Sequence, residues 1–117
     1  MEEFKKAKIL RIYVSNTDKL GFDTLYEHIA LEANKFGLSG MTVYKGIMGY
    51  GSSSKMLSDK FWTFTGKVPV TIEIIDIEER INDFLHTILP QINEIPKGCL
   101  ITMQDTTIIL SKKGDKK

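Results

Sequence analysis

The chain has a single cysteine, Cys99, so it can form no internal disulfide, and a metal centre built from several thiolates is excluded. Histidine is nearly as scarce: His28 and His86 each stand alone, without a second ligand at metal-binding spacing. Neither charge sign is in excess. With 16 Lys and Arg against 15 Asp and Glu, the formal charge is +1, which gives no electrostatic reason to expect a nucleic-acid partner. No apolar run approaches the ~20 residues that span a bilayer. The opening MEEFKKAK is charged where a secretory leader would be apolar. These absences lead to the expectation of a cytoplasmic protein with no nucleic-acid partner, no direct membrane insertion and no metal site.

What is present fits one domain over residues 1–117, able to bury one modest core that oligomerisation would help to close. Residues 8–110 are expected to be ordered, with a polar tail, SKKGDKK, over 111–117. KILRIYV alternates, with Leu10, Ile12 and Val14 on one face and Arg11 and Tyr13 on the other, and so predicts a strand. From Phe22 the period changes. Phe22, Leu25, Ile29, Ala33 and Phe36 line one helical stripe, and Gly37 supplies the left-handed residue that ends it.

MTVYKGIMGY predicts a second strand, with Gly46 marking a bulge, and VPVTIEIID a third that begins at Pro69. Asp76 then caps a second helix, with Glu79 in a capping-box position. Ile77, Ile81, Phe84, Leu85 and Ile88 form its apolar stripe, and Pro90 should kink or end it. CLITM and TTIIL read as two short strands or one bent strand.

This order predicts an α+β, ferredoxin-like βαββαβ sandwich with an extra C-terminal edge strand, its two helices covering one face of an antiparallel sheet. Tyr13, Tyr44 and Ile75 fall on the other face, which is expected to be buried against sister subunits.

Ordinary enzyme signatures are missing. Asp76, Glu78 and Glu79 suit a helix start better than acid–base work, and Ser52 to Ser54 have no neighbouring base. RNA-recognition domains share this topology but need aromatic pairs on the central strands, and VTIEIID offers none. What stands out is the connection between the second and third strands, where a hairpin needs two to five residues. It carries GYGSSS, in which Gly49 and Gly51 could let backbone N–H groups approach an anion. It is not a Walker loop, since no G-K-[ST] opens a helix there.

The string FGLSGMTVYKGIMGYGSSS resembles the PII signal-transduction superfamily, where a helix end and G-M-T-V strand lead to glycines and a long mobile loop. Gly37, Gly40, Met41, Thr42, Val43, Gly49 and Gly51 carry that resemblance. VTIEIID and IPKGCLIT resemble the later strands. The match is closer to an uncharacterised, domain-of-unknown-function branch of the superfamily, and it covers about residues 8–110.

The resemblance implies a homotrimer that binds an adenine nucleotide (AMP, ADP or ATP), with or without Mg²⁺, in clefts between subunits. Thr42, Gly49, Tyr50, Gly51 and Ser52 match one side of the cleft. Glu73 and Ile75 match the strand beneath the base, and Lys97 and Gly98 the phosphate-side turn. The loop, about residues 52–67, would dock on a target protein such as a membrane transporter or an enzyme. Lys60, Phe61, Trp62 and Phe64 would supply its contact surface, unless those aromatics pack on their own trimer.

This chain departs from the PII pattern at Ser52 and Ser53, where PII has Arg-Gln, and at Cys99, where PII has lysine. Two other readings share the topology: a divalent-metal-binding trimer of the cation-tolerance type, which would need clustered ligands, and an acylphosphatase-like hydrolase, which would need an arginine in SNTDKLG.

Overall fold

The computed structural model describes residues 4–50, 57–58 and 67–115. A four-stranded antiparallel sheet is built from β1 (Lys5–Ser15), β4 (Gly40–Lys45), β7 (Pro69–Asp76) and β8 (Leu100–Ile108), in the order β4-β7-β1-β8. Two helices, α1 (Leu25–Phe36) and α2 (Glu78–Glu94), lie on one face. Two small ribbons complete the described chain: β2 (Lys19–Leu20) with β3 (Asp23–Thr24), and β5 (Met48–Gly49) with β6 (Leu57–Ser58). With the ribbons set aside, this is the expected α+β, ferredoxin-like βαββαβ order.

The core follows from the alternation. Leu10, Ile12 and Val14 of β1 and Val70, Ile72 and Ile74 of β7 are buried beneath Leu25, Ile29 and Ala33 of α1 and Ile81, Phe84, Ile88 and Ile92 of α2. Burying a side chain of this size contributes about 1.5–3 kcal/mol. Phe36 and Phe84 meet edge to face, with ring centroids 5.4 Å apart, and so join the helices to each other.

Several expectations are corrected. Phe22 is not on the helical stripe; it is fully exposed at the tip of the β2–β3 turn, where Gly21 has φ 67°. The helix begins three residues later because Thr24 caps it, accepting from the Glu27 N–H and donating to the Glu27 carboxylate at 2.7 Å.

Asp76 is not the cap of α2. It is the last residue of β7, and its buried carboxylate accepts from the Ile77 N–H (2.7 Å), the Ser39 N–H (3.0 Å) and Arg80 Nε (3.0 Å). Pro90 does not end α2, which runs on to Glu94 with Ile92 anchoring its last turn in the core. Proline removes one helical hydrogen bond, and burial of the following turn offsets that loss.

CLITM and TTIIL form one continuous strand, β8, and no separate C-terminal edge strand follows among the described residues. Its polar middle stays extended because the ladder with β1 runs unbroken from Leu100↔Tyr13 to Ile108↔Lys5, and Asp105, opposite Lys8, adds an exposed ion pair.

Gly46 marks not a bulge but a close approach: its N–H donates to the Pro69 carbonyl at 2.7 Å, and a Cβ there would lie 2.8 Å from Pro69 Cγ. β4 and β7 are thereby clamped together at the point where the long connection departs.

Candidate functional site

The sheet face opposite the helices carries the residues of interest. Register sets them in rows across the sheet: Thr42 is opposite Glu73, Thr71 lies between Tyr44 and Tyr13, and Ile75 lies between Gly40 and Ile9. Tyr13, Tyr44 and Ile75 do share this uncovered face, with Tyr44 half-exposed.

A hydrogen-bonded chain crosses the face and takes one residue from each strand in sheet order. Tyr44 OH donates to Glu73 Oε1 (3.3 Å), Arg11 Nε donates to Glu73 Oε2 (2.9 Å), and Arg11 Nη1 donates to Gln104 Oε1 (2.7 Å). The Arg11 and Glu73 side chains keep only 29% and 19% of their exposure, so the ion pair is partly screened from water. Charge-assisted bonds of this kind are stronger than neutral ones. No sequence motif marks Arg11 and Gln104 as site residues. The available signal was the alternation, which puts Arg11 on a face shared with Tyr13.

The other expected residues lie at one end of the sheet. Gly49 sits in β5, and Tyr50 follows it, largely exposed. Lys97 and Gly98 occupy the exposed turn between α2 and β8. Because Leu100 pairs with Tyr13 and Lys45 with Val70, this turn and the loop base share one end of the sheet. They lie at opposite edges, however, with β7 and β1 between them. Three strand spacings amount to about 14 Å.

Thr42 and Glu73 lie partway along the face. Ile75 is near its far end, six residues from Pro69 along β7 and hence about 20 Å away. One chain therefore brings Thr42 and Glu73 together, but not these with Lys97 and Gly98. Gly51, Ser52, Lys60, Phe61, Trp62 and Phe64 lie outside the described residues.

A cavity of about 290 Å³ opens at the far end, lined by Lys5, Ser39, Asp76, Ile77, Arg80, Ile108 and Ser111. It contains none of the expected site residues, although Ser39 and Asp76 adjoin Gly40 and Ile75. Cys99 is half-buried, and burial, followed by the charge of Asp18, pushes its thiol up to about 11. A neutral thiol is a poor nucleophile. No group of three or more His, Cys, Asp or Glu that could hold a metal ion is found among the described residues. Nor, among them, is any helix long and apolar enough to cross a membrane.

The architecture is that of the PII-like class. The chain superposes on CPII, a nitrogen regulatory PII-like protein from Thiomonas intermedia K12 solved bound to ADP, AMP and bicarbonate, with TM-score 0.68, 17% identity and 91% of each chain covered. A Thermus thermophilus structure, of a protein assigned only provisionally as PII-like signaling, gives TM-score 0.58 at 16% identity, covering 92% of this chain and 94% of that one.

The chain belongs to the DUF190 family (Uncharacterized ACR), whose model matches residues 7–108. It is 44% identical over 93 residues to UPF0166 protein MJ1524 of Methanocaldococcus jannaschii, covering 80% of this chain and 82% of that protein. A UPF0166 protein of Aquifex aeolicus is 35% identical over 104 residues, covering 89% and 94%. This chain thus belongs to an uncharacterised family and shares the fold of PII-like proteins.

Proposed function

We propose that this protein is a PII-like regulatory protein that binds an adenine nucleotide in clefts between the copies of a homotrimer, and that the segment between β4 and β7 meets a target protein according to the ligand held. The observation that carries this reading is the division of the candidate residues. Thr42 and Glu73 are paired on the uncovered sheet face, while the glycine-bearing loop base and the Lys97–Gly98 turn sit at the sheet end. No single chain brings all of these groups around one small molecule, whereas a seam between two copies can.

The similar CPII structure, which holds ADP and AMP, supports the choice of ligand class. In this reading the nucleoside lies against Thr42, Glu73 and Ile75. The phosphates meet Lys97 and the backbone at Gly98 and at Gly49 to Ser52. Lys60, Phe61, Trp62 and Phe64 form the surface offered to the target.

Binding drives a change in that surface only if the ligand prefers one of its states. The test is calorimetric titration of the full chain with AMP, ADP and ATP, with and without Mg²⁺, beside a mass measurement in solution. Saturable binding at one site per seam of a trimer is expected. A monomer that binds none of the three overturns the proposal.

A further inference from the structure

We infer that Arg11, Tyr44 and Gln104 are positioning residues that fix the Glu73 carboxylate as an acceptor, so that this part of the face selects the donor-bearing nucleoside end of a ligand over its anionic end. The inference rests on the functional reading above and adds a selection rule to it.

The geometry is specific. Arg11 holds one Glu73 oxygen at 2.9 Å and Tyr44 OH the other at 3.3 Å, while Gln104 pins the far side of the guanidinium at 2.7 Å. The four residues come from four different strands, so the carboxylate is braced across the whole sheet width. A glutamate with three rotatable torsions is thereby held in one place.

An ionised carboxylate offers about four lone-pair sites and donates nothing. Two are taken by Arg11 and Tyr44, which leaves acceptor capacity facing the uncovered side. With Arg11 already paired to Glu73, no net positive charge is left there to hold a phosphate or carboxylate. An N–H or O–H donor would complete the set, and Thr42, directly across from Glu73, adds a hydroxyl that can donate or accept. The shared chemistry is therefore a neutral donor on the nucleoside, either the exocyclic amine of the base or a ribose hydroxyl.

Calorimetry of the full-length protein with AMP, inosine monophosphate and 2′-deoxy-AMP separates the two donors. The wild type is expected to bind one analogue about tenfold more weakly than AMP, as loss of a hydrogen bond to a charged group implies. In Arg11→Lys and Tyr44→Phe that gap should shrink to about threefold or less, with melting temperature and assembly state held as controls. A merely structural role would weaken AMP and its analogues alike and leave the gap intact.

If Arg11→Lys fails to fold, Tyr44→Phe, which removes one hydroxyl from a half-exposed side chain, decides the matter. AMP binding without discrimination, or a gap preserved in Tyr44→Phe, overturns this inference while leaving nucleotide binding standing. Failure of the wild type to bind any of these nucleotides overturns both.

Discussion

Gly46 and Pro69 are in contact so close that no side chain fits between them: the glycine N–H donates to the proline carbonyl at 2.7 Å, and a Cβ on Gly46 would lie 2.8 Å from Pro69 Cγ. Pro69 is a rigid ring at the start of β7 and cannot swing aside as a long side chain would. Gly46→Ala should therefore cost about 1–3 kcal/mol through forced displacement of the strand pair. Gly40→Ala, where an added methyl meets nothing within 4 Å, should stay within about 0.5 kcal/mol of wild type. Urea unfolding midpoints of the two variants provide the check.

Phe84 is fully buried and meets the Phe36 ring edge to face. Phe84→Ala is expected to lose about 3–5 kcal/mol, because both the transfer energy and the cavity left between the helices count against it. Since the cavity lies between α1 and α2, far-UV circular dichroism should show both helices melting at the lowered midpoint together. Early loss of α2 alone would contradict this account of the layer.

Asp76 carries a pH dependence whose sign can be worked out. Burial pushes its carboxyl up, but the Ile77 N–H, the Arg80 guanidinium and the Ser39 N–H outweigh burial and hold it below its ordinary 3.8. A carboxyl lowered in the folded state adds stability that is fully present above the unfolded value. That stability is lost as pH falls through the folded value. Asp76→Asn should be less stable by about 1–3 kcal/mol at neutral pH, and the difference from wild type should narrow below pH 3.8. A difference that stays constant from neutral pH down through that range would show that charge plays no part.

Cys99 should react slowly. Its thiol, raised to about 11 chiefly by burial, stays protonated at neutral pH, and the thiolate is the reactive form. Modification by a disulfide reagent at mildly alkaline pH is expected to run well below the rate of a free thiol and to climb as pH approaches 11. Rapid labelling at neutral pH would mean the residue is not shielded as described.

Much of the fold can be read from periodicity because its signals are local. The alternation in β1 and β7, the stripe through Leu25, Ile29 and Ala33, and the left-handed stop at Gly37 each depend on neighbours a few residues apart. The misreadings arise where a specific partnership, and not spacing, decides. Phe22 has helical spacing, but Thr24 and Glu27 together fix the helix start after it. Asp76 has capping spacing, but its carboxylate is engaged by the Ser39 N–H, 37 residues away in sequence, and by Arg80. β8 stays whole because it pairs along its full length with β1, whose residues lie at the other end of the sequence.

The site divides in the same way. Thr42 and Glu73 could be named only through a family resemblance. Arg11, 62 residues from Glu73 and 93 from Gln104, sends no local signal of its partners.

Arg80 fastens two places at once. While its Nε engages Asp76 at the entrance of α2, its Nη2 donates to the carbonyls of Phe36 and Gly37 at 2.7 and 2.9 Å, closing the exit of α1. Fraying, normally the private affair of each helix terminus, thus becomes a shared event here, since loosening either end releases the same guanidinium. Amide protons in the last turn of α1 and the first turn of α2 should consequently exchange with solvent as one population, although more than 40 residues of chain separate them.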